Sequence, residues 1–116
     1  MTEKYVLLFA ILLLPSLCKA DIIYSNNDLI SGYKADISGG IDINTLAKAN
    51  EFQGYMMGVA ASLASANEIC LPNKKVIGYY ITHNSYDDLT KLQSNNDDSF
   101  VNVKNILIKN FPCNRK

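Results

Sequence analysis

The chain has 116 residues, 11 of them basic and 11 acidic, so its formal net charge is zero with its one histidine neutral. That balance argues against nucleic-acid binding, which needs a basic patch: the densest basic runs, Lys74-Lys75 and Arg115-Lys116, hold only two residues each. A zinc site needs about four closely spaced ligands, and one histidine with three cysteines does not supply that pattern, so neither metal nor cofactor is expected.

Residues 1–20 read as a cleavable export signal. Lys4 gives a weakly basic start, Tyr5–Leu14 is unbroken apolar sequence, Pro15 and Ser16 end it, and Cys18-Lys19-Ala20 resembles a small-x-small cleavage site. The apolar run falls short of the about 20 residues needed to span a bilayer, so no stable membrane anchor is expected after cleavage. Leu17 stands where lipidated cysteines usually follow a small residue, which disfavours lipidation of Cys18. Cleavage after Ala20 leaves a single domain, 21–116, with 9 basic and 10 acidic residues. It keeps only Cys70 and Cys113, which in an oxidising compartment pair with each other as a disulfide. A domain this small buries a modest core, so a covalent clip is useful to it.

In chain order, residues 21–41 are rich in Asn, Ser and Gly and read as loop, with at most a helical turn around Asp28–Ser31. Residues 42–66 carry the strongest helical pattern. Asp42 or Asn44 can cap it, Leu46, Ala49, Phe52, Met56, Val59 and Leu63 form one apolar stripe, and Asn67 is a stop. Gly54 and Gly58, continued by Ser62, share a second face without bulk, which suits internal helix packing or a dimer interface. Cys70–Asn73 is a turn. Residues 74–84 have strand propensity in Val76, Ile77, Tyr79, Tyr80, Ile81 and Thr82 but also fit a helical face capped by Asn73. The polar stretch 83–98 reads as loops around a short helical piece at Leu89 and Leu92. A last helix spans about Ser99–Asn110, capped by Asp97 or Asp98, with Phe100, Val103, Ile106, Leu107 and Phe111 as its buried stripe and Pro112 as its end.

No catalytic constellation emerges. His83, Ser85 and Asp87 are the residue types of a hydrolase triad, but triad members usually converge from distant segments, and neither a nucleophile elbow nor a phosphate loop is present. The acidic pairs Asp87-Asp88 and Asp97-Asp98 are too few oxygens for calcium. The chain does not read as an enzyme.

The helix Gly54-Tyr55-x-x-Gly58-Val59-x-x-x-Leu63, the following Ile69-Cys70-Leu71-Pro72 and the closing Phe111-Pro112-Cys113 together resemble the Rap/Tai family of immunity proteins of type VI secretion systems. The resemblance covers roughly residues 40–113, although extra cysteines common near the start of that helix in the family have no counterpart in Thr45–Phe52. It implies an all-α, disulfide-closed helical bundle, with Lys74–Tyr86 helical. It implies a periplasmic protein, often dimeric, whose partner is a peptidoglycan amidase effector that it inhibits by occluding the active-site cleft. The polar stretch His83, Asn84, Tyr86, Asp87 and Asp88 is the surface expected to enter that cleft as a loop, with Tyr86 as anchor. A small periplasmic acid-stress chaperone is the alternative.

Overall fold

A computed structural model describes residues 24–72 and 78–114. They form four helices and no strand: α1 (Asn26–Ser38), α2 (Ile43–Ser65), α3 (Gly78–Leu89) and α4 (Phe100–Asn110). The fold is all-α, and Cys70 and Cys113 are bonded. The export segment 1–20, Asn73–Ile77 with Lys74-Lys75 and its cap, and Arg115-Lys116 lie outside the described residues.

The first departure from the sequence reading is α1, thirteen residues of helix where a loop was expected. A capping box starts it: Ser25 Oγ accepts from the Asp28 amide and Asp28 Oδ2 accepts from the Ser25 amide, both at 3.1 Å. Leu29 and Gly32 are buried against α2, and Gly39 ends the helix in the left-handed region at φ 64°. At Gly32 the two helices approach closely. A Cβ there would lie 2.6 Å from Phe52 Cβ and 2.7 Å from the Tyr24 hydroxyl.

α2 is the central element, and each of the other helices packs on it. Asp42 caps it, with Oδ2 accepting from the Thr45 amide at 3.1 Å. Phe52, Met56, Val59, Ala60 and Leu63 are buried, whereas Leu46 is exposed and Ala49 half-buried, so the core stripe is shorter than the sequence pattern. Asn67 does stop the helix. It sits at φ 59°, its amide donates to Ala64 O, and the Glu68 amide reaches back to Leu63 O at 2.8 Å, the paired bonds of a Schellman turn.

Residues 78–84 are helical, which overturns the strand propensity of this stretch. Packing decides it: Ile81, Thr82, Ser85 and Leu89 recur on one buried face. Thr82 Oγ1 donates to Gly78 O and Ser85 Oγ to Ile81 O at 2.7 Å, so the two hydroxyls enter the core already satisfied. In α4, Val103, Ile106, Leu107 and then Phe111 are buried, but Phe100 is 41% exposed and lies outside the stripe. Asp97 does not cap α4. Asp98 Oδ1 accepts weakly from the Phe100 amide at 3.4 Å, while Ser99 Oγ donates to Tyr24 O at 2.6 Å.

Two ties close the bundle. Cys70–Cys113 joins the segments following α2 and α4, reinforced by Cys70 N donating to Phe111 O at 3.0 Å. At the other end, Asn26 and Asn27 donate from their amides to Asp97 O and Asn95 O, and Asn26 exchanges side-chain bonds with Asn95 and Asn102.

The face of Gly54, Gly58 and Ser62 is exposed, and a Cβ on either glycine would meet nothing within 4 Å. Internal helix packing is therefore not what these glycines serve among the described residues. Two opposite effects follow. Gly54→Ala and Gly58→Ala should each raise stability by about 1 kcal/mol through helix propensity. Gly32→Ala should lower it by about 1–3 kcal/mol because Phe52 Cβ cannot yield as a side-chain tip could. Urea denaturation midpoints check both. Replacing Cys70 and Cys113 by Ser, which opens a loop of sequence separation 43, should cost about 4 kcal/mol by the chain-entropy treatment, measured as the drop in Tm and midpoint.

Candidate functional site

His83–Asp88, expected as a loop, lies within α3. The correction matters because a helix distributes neighbouring residues around its axis instead of presenting them together. Ser85 is buried, and no hydrogen bond links it to His83 or Asp87.

The outward ridge of α3 is aromatic. Tyr79 is 69% exposed, and its ring stacks on His83 with centroids 5.3 Å apart and planes at 14°. His83 meets Tyr86 edge-on at 5.7 Å, and Tyr86 meets Tyr33 of α1 at 6.0 Å. The row thus runs Tyr79–His83–Tyr86–Tyr33 across two helices. It is braced from behind by Asp36, whose Oδ2 accepts from the Tyr86 hydroxyl and whose Oδ1 accepts from Gln53 Nε2 at 2.6 Å. Burial, then the Asp36 carboxylate, pushes the Tyr86 hydroxyl up to about 12.

The expected residues separate into three roles. His83 and Asp87 are exposed on the ridge, with half-buried Tyr86 anchoring it. Asn84 is exposed one ridge over, its Nδ2 donating to Tyr80 O at 2.8 Å, while Tyr80 leans on Phe111. Asp88 turns the other way and ties α3 to α4, accepting from Lys109 Nζ at 2.7 Å and Asn110 Nδ2 at 2.9 Å. Lys109, then Asn110, hold its carboxyl below the usual carboxylate range. Sequence reasoning missed Tyr79, Tyr33 and Asp36. The spacing Tyr79–His83–Tyr86 is helical and could have been read as a ridge, but Tyr33 and Asp36 could not be placed without α1.

A second feature is a shallow cleft of about 150 Å³ between α1 and α2, lined by Tyr24, Asp28, Ser31, Gly32, Lys48 and Glu51. Burial, then the Glu51 and Asp28 carboxylates, raises the Tyr24 hydroxyl well above its ordinary range. The cleft is below the roughly 300 Å³ at which small-molecule sites begin. The aromatic ridge is accordingly the stronger candidate, and its exposed rings and hydrogen-bonded support suit a macromolecular surface. Among the described residues no three His, Cys, Asp or Glu side chains group as a metal site. Comparison of the chain with protein-family models, with curated proteins and with solved structures finds no match.

Acid should loosen the frame around this ridge. Asp88 and the α2 cap Asp42, held low first by its Thr45 hydrogen bond, both have depressed folded-state values. The stability they lend is complete above the unfolded carboxyl value of about 3.9 and is lost as pH falls through the lower folded values. Denaturation midpoints should therefore fall between about pH 5 and pH 2, and Asp42→Asn with Asp88→Asn should flatten that fall.

Proposed function

We propose that the chain is an exported immunity protein that binds a type VI secretion peptidoglycan amidase effector in the periplasm and covers its catalytic cleft. The observation that carries the reading is the aromatic ridge of α3. It is exposed at Tyr79 and His83, yet fixed through Tyr86, Asp36 and Gln53. A surface already held in place loses little side-chain freedom when a partner covers it, so more of the contact energy appears as affinity. Exposed Tyr side chains are the usual anchors of such interfaces. The all-α, single-disulfide bundle is also the architecture that the Rap/Tai resemblance of 40–113 implies.

Blocking by this route is steric. A convex helical face laid over a cleft excludes a polymeric substrate without chemistry of its own, and the ridge's polar and charged neighbours set which cleft is accepted. The reading assigns the domain 21–116 to the periplasm after loss of 1–20.

The test uses the oxidised domain and the product of any amidase-like reading frame found beside its gene. A stable complex that stops peptidoglycan hydrolysis is expected. Tyr79→Ala with His83→Ala should weaken it by tenfold or more, about 1.4 kcal/mol or above. In cells, the full chain should protect against the periplasmic amidase and a version lacking residues 1–20 should not. Absence of both a complex and protection would sink the reading.

A further inference from the structure

Among the described residues the carboxylates of the ridge have no ion-pair partner, and this specifies what it receives. Asp87 lies one helical turn beyond His83, about 6 Å along the axis. It is exposed, and its side-chain oxygens accept no hydrogen bond among the described residues. Asp36 borders Tyr86 and Tyr33 and is held by two neutral donors, a phenol and an amide, neither of which cancels its charge. The ion pairs among the described residues are Lys104–Glu68 and Lys109–Asp88. Lys34, next to Tyr33, and Lys91, four residues beyond Asp87, pair with neither Asp36 nor Asp87. Rings open to solvent beside a free carboxylate match a cation that is also flat: a guanidinium stacks on an aromatic face and forks onto a carboxylate, which an ammonium does less well.

We infer that the Tyr79–His83–Tyr86 ridge is an arginine-receiving surface: the protein partner presents an arginine whose guanidinium lies on the aromatic row and pairs with Asp87. This deepens the reading of α3 as the partner-binding face and names the chemistry of the group it takes. Charge complementarity selects a basic protein patch over an acidic or purely apolar one.

Capped tri-arginine, tri-lysine and tri-glutamate peptides serve as probes of the ¹⁵N-labelled oxidised domain, followed by NMR. Tri-arginine should shift resonances of Tyr79, His83, Tyr86 and Asp87 as one group. Tri-lysine should do so with several-fold lower affinity, and tri-glutamate not at all. Tyr79→Ala and Asp87→Asn alter exposed side chains and should leave the fold intact. Together they should weaken tri-arginine binding about tenfold. Shifts spread evenly over Asp28, Asp97 and Asp98, equal binding of the lysine peptide, or indifference to the double variant would overturn the inference. The amidase supplies a separate arm. A complex unaffected by Asp87→Lys removes the arginine assignment and leaves the immunity reading standing. Tri-arginine seated on the ridge, in a protein that binds no amidase, does the reverse.

Discussion

The structure depends on the burial of one side of α2. Twenty-three residues of helix extend about 34 Å, and the side formed by Phe52, Met56, Val59, Ala60 and Leu63 is the one apolar surface long enough to organise the rest. The other helices have 13, 12 and 11 residues, lengths at which isolated helices are marginal in water. Each gains its helical state by covering part of α2, and the buried residues they contribute (Leu29, Ile81, Leu89, Val103, Ile106 and Leu107) join one core with it. Three short helices cannot wrap a long one completely. Among the described residues the uncovered remainder is the bare Gly54–Gly58–Ser62 face and the apolar entry to α2, where Ile41 and Ile43 are 89% and 84% exposed.

Because that core is small, directional bonds at its two ends hold the covering helices in register. The Schellman turn at Asn67 redirects the chain so that Ile69 enters the core and Cys70 faces Cys113. The opposite end has no covalent link, and asparagines take its place, with Asn26, Asn27, Asn95, Asn96 and Asn102 pairing across three segments. The clip constrains α4 relative to α2, while the asparagine cluster fixes α1 relative to α4. α3 is then held from both flanks, by Asp36 through Tyr86 and by its own Asp88 through Lys109 and Asn110.

How far the sequence discloses this depends on whether the buried positions look apolar. α2 and α4 were legible because their stripes are built from Phe, Met, Val, Ile and Leu and their ends are marked, Asp42 and Asn67 for one and Pro112 for the other. α1 was hidden because its contact with α2 runs through Gly32, and because Asn26 is buried as a hydrogen-bonding residue. α3 was obscured twice: its Tyr, Ile and Thr favour strands, and two of its core positions are Thr82 and Ser85, which look like surface residues until their hydroxyls are seen returning to the helix's own carbonyls. The site was half legible for the same reason. His83, Tyr86 and Asp87 belong to it, but a loop reading presented them side by side with Asn84 and Asp88, which helical geometry sends elsewhere.

The adjacent carboxylates Asp87 and Asp88 show what that geometry does to function. In sequence they are one acidic pair, alike in charge and surroundings. On α3 they are rotated by about 100°, which carries Asp88 into hydrogen bonds with α4 and leaves Asp87 in solvent beside the aromatic row. Asp88 spends its charge on a partner within the molecule and so stabilises the helix. Asp87 has no such partner among the described residues and is solvated instead. Covering the ridge removes that water. A partner without a cation would then leave a desolvated carboxylate unpaired, at a cost of several kcal/mol. In the proposed complex Asp87 would thus contribute chiefly to refusal: an aromatic row can adhere to many surfaces, and a carboxylate at its end would restrict it to those that supply the opposite charge.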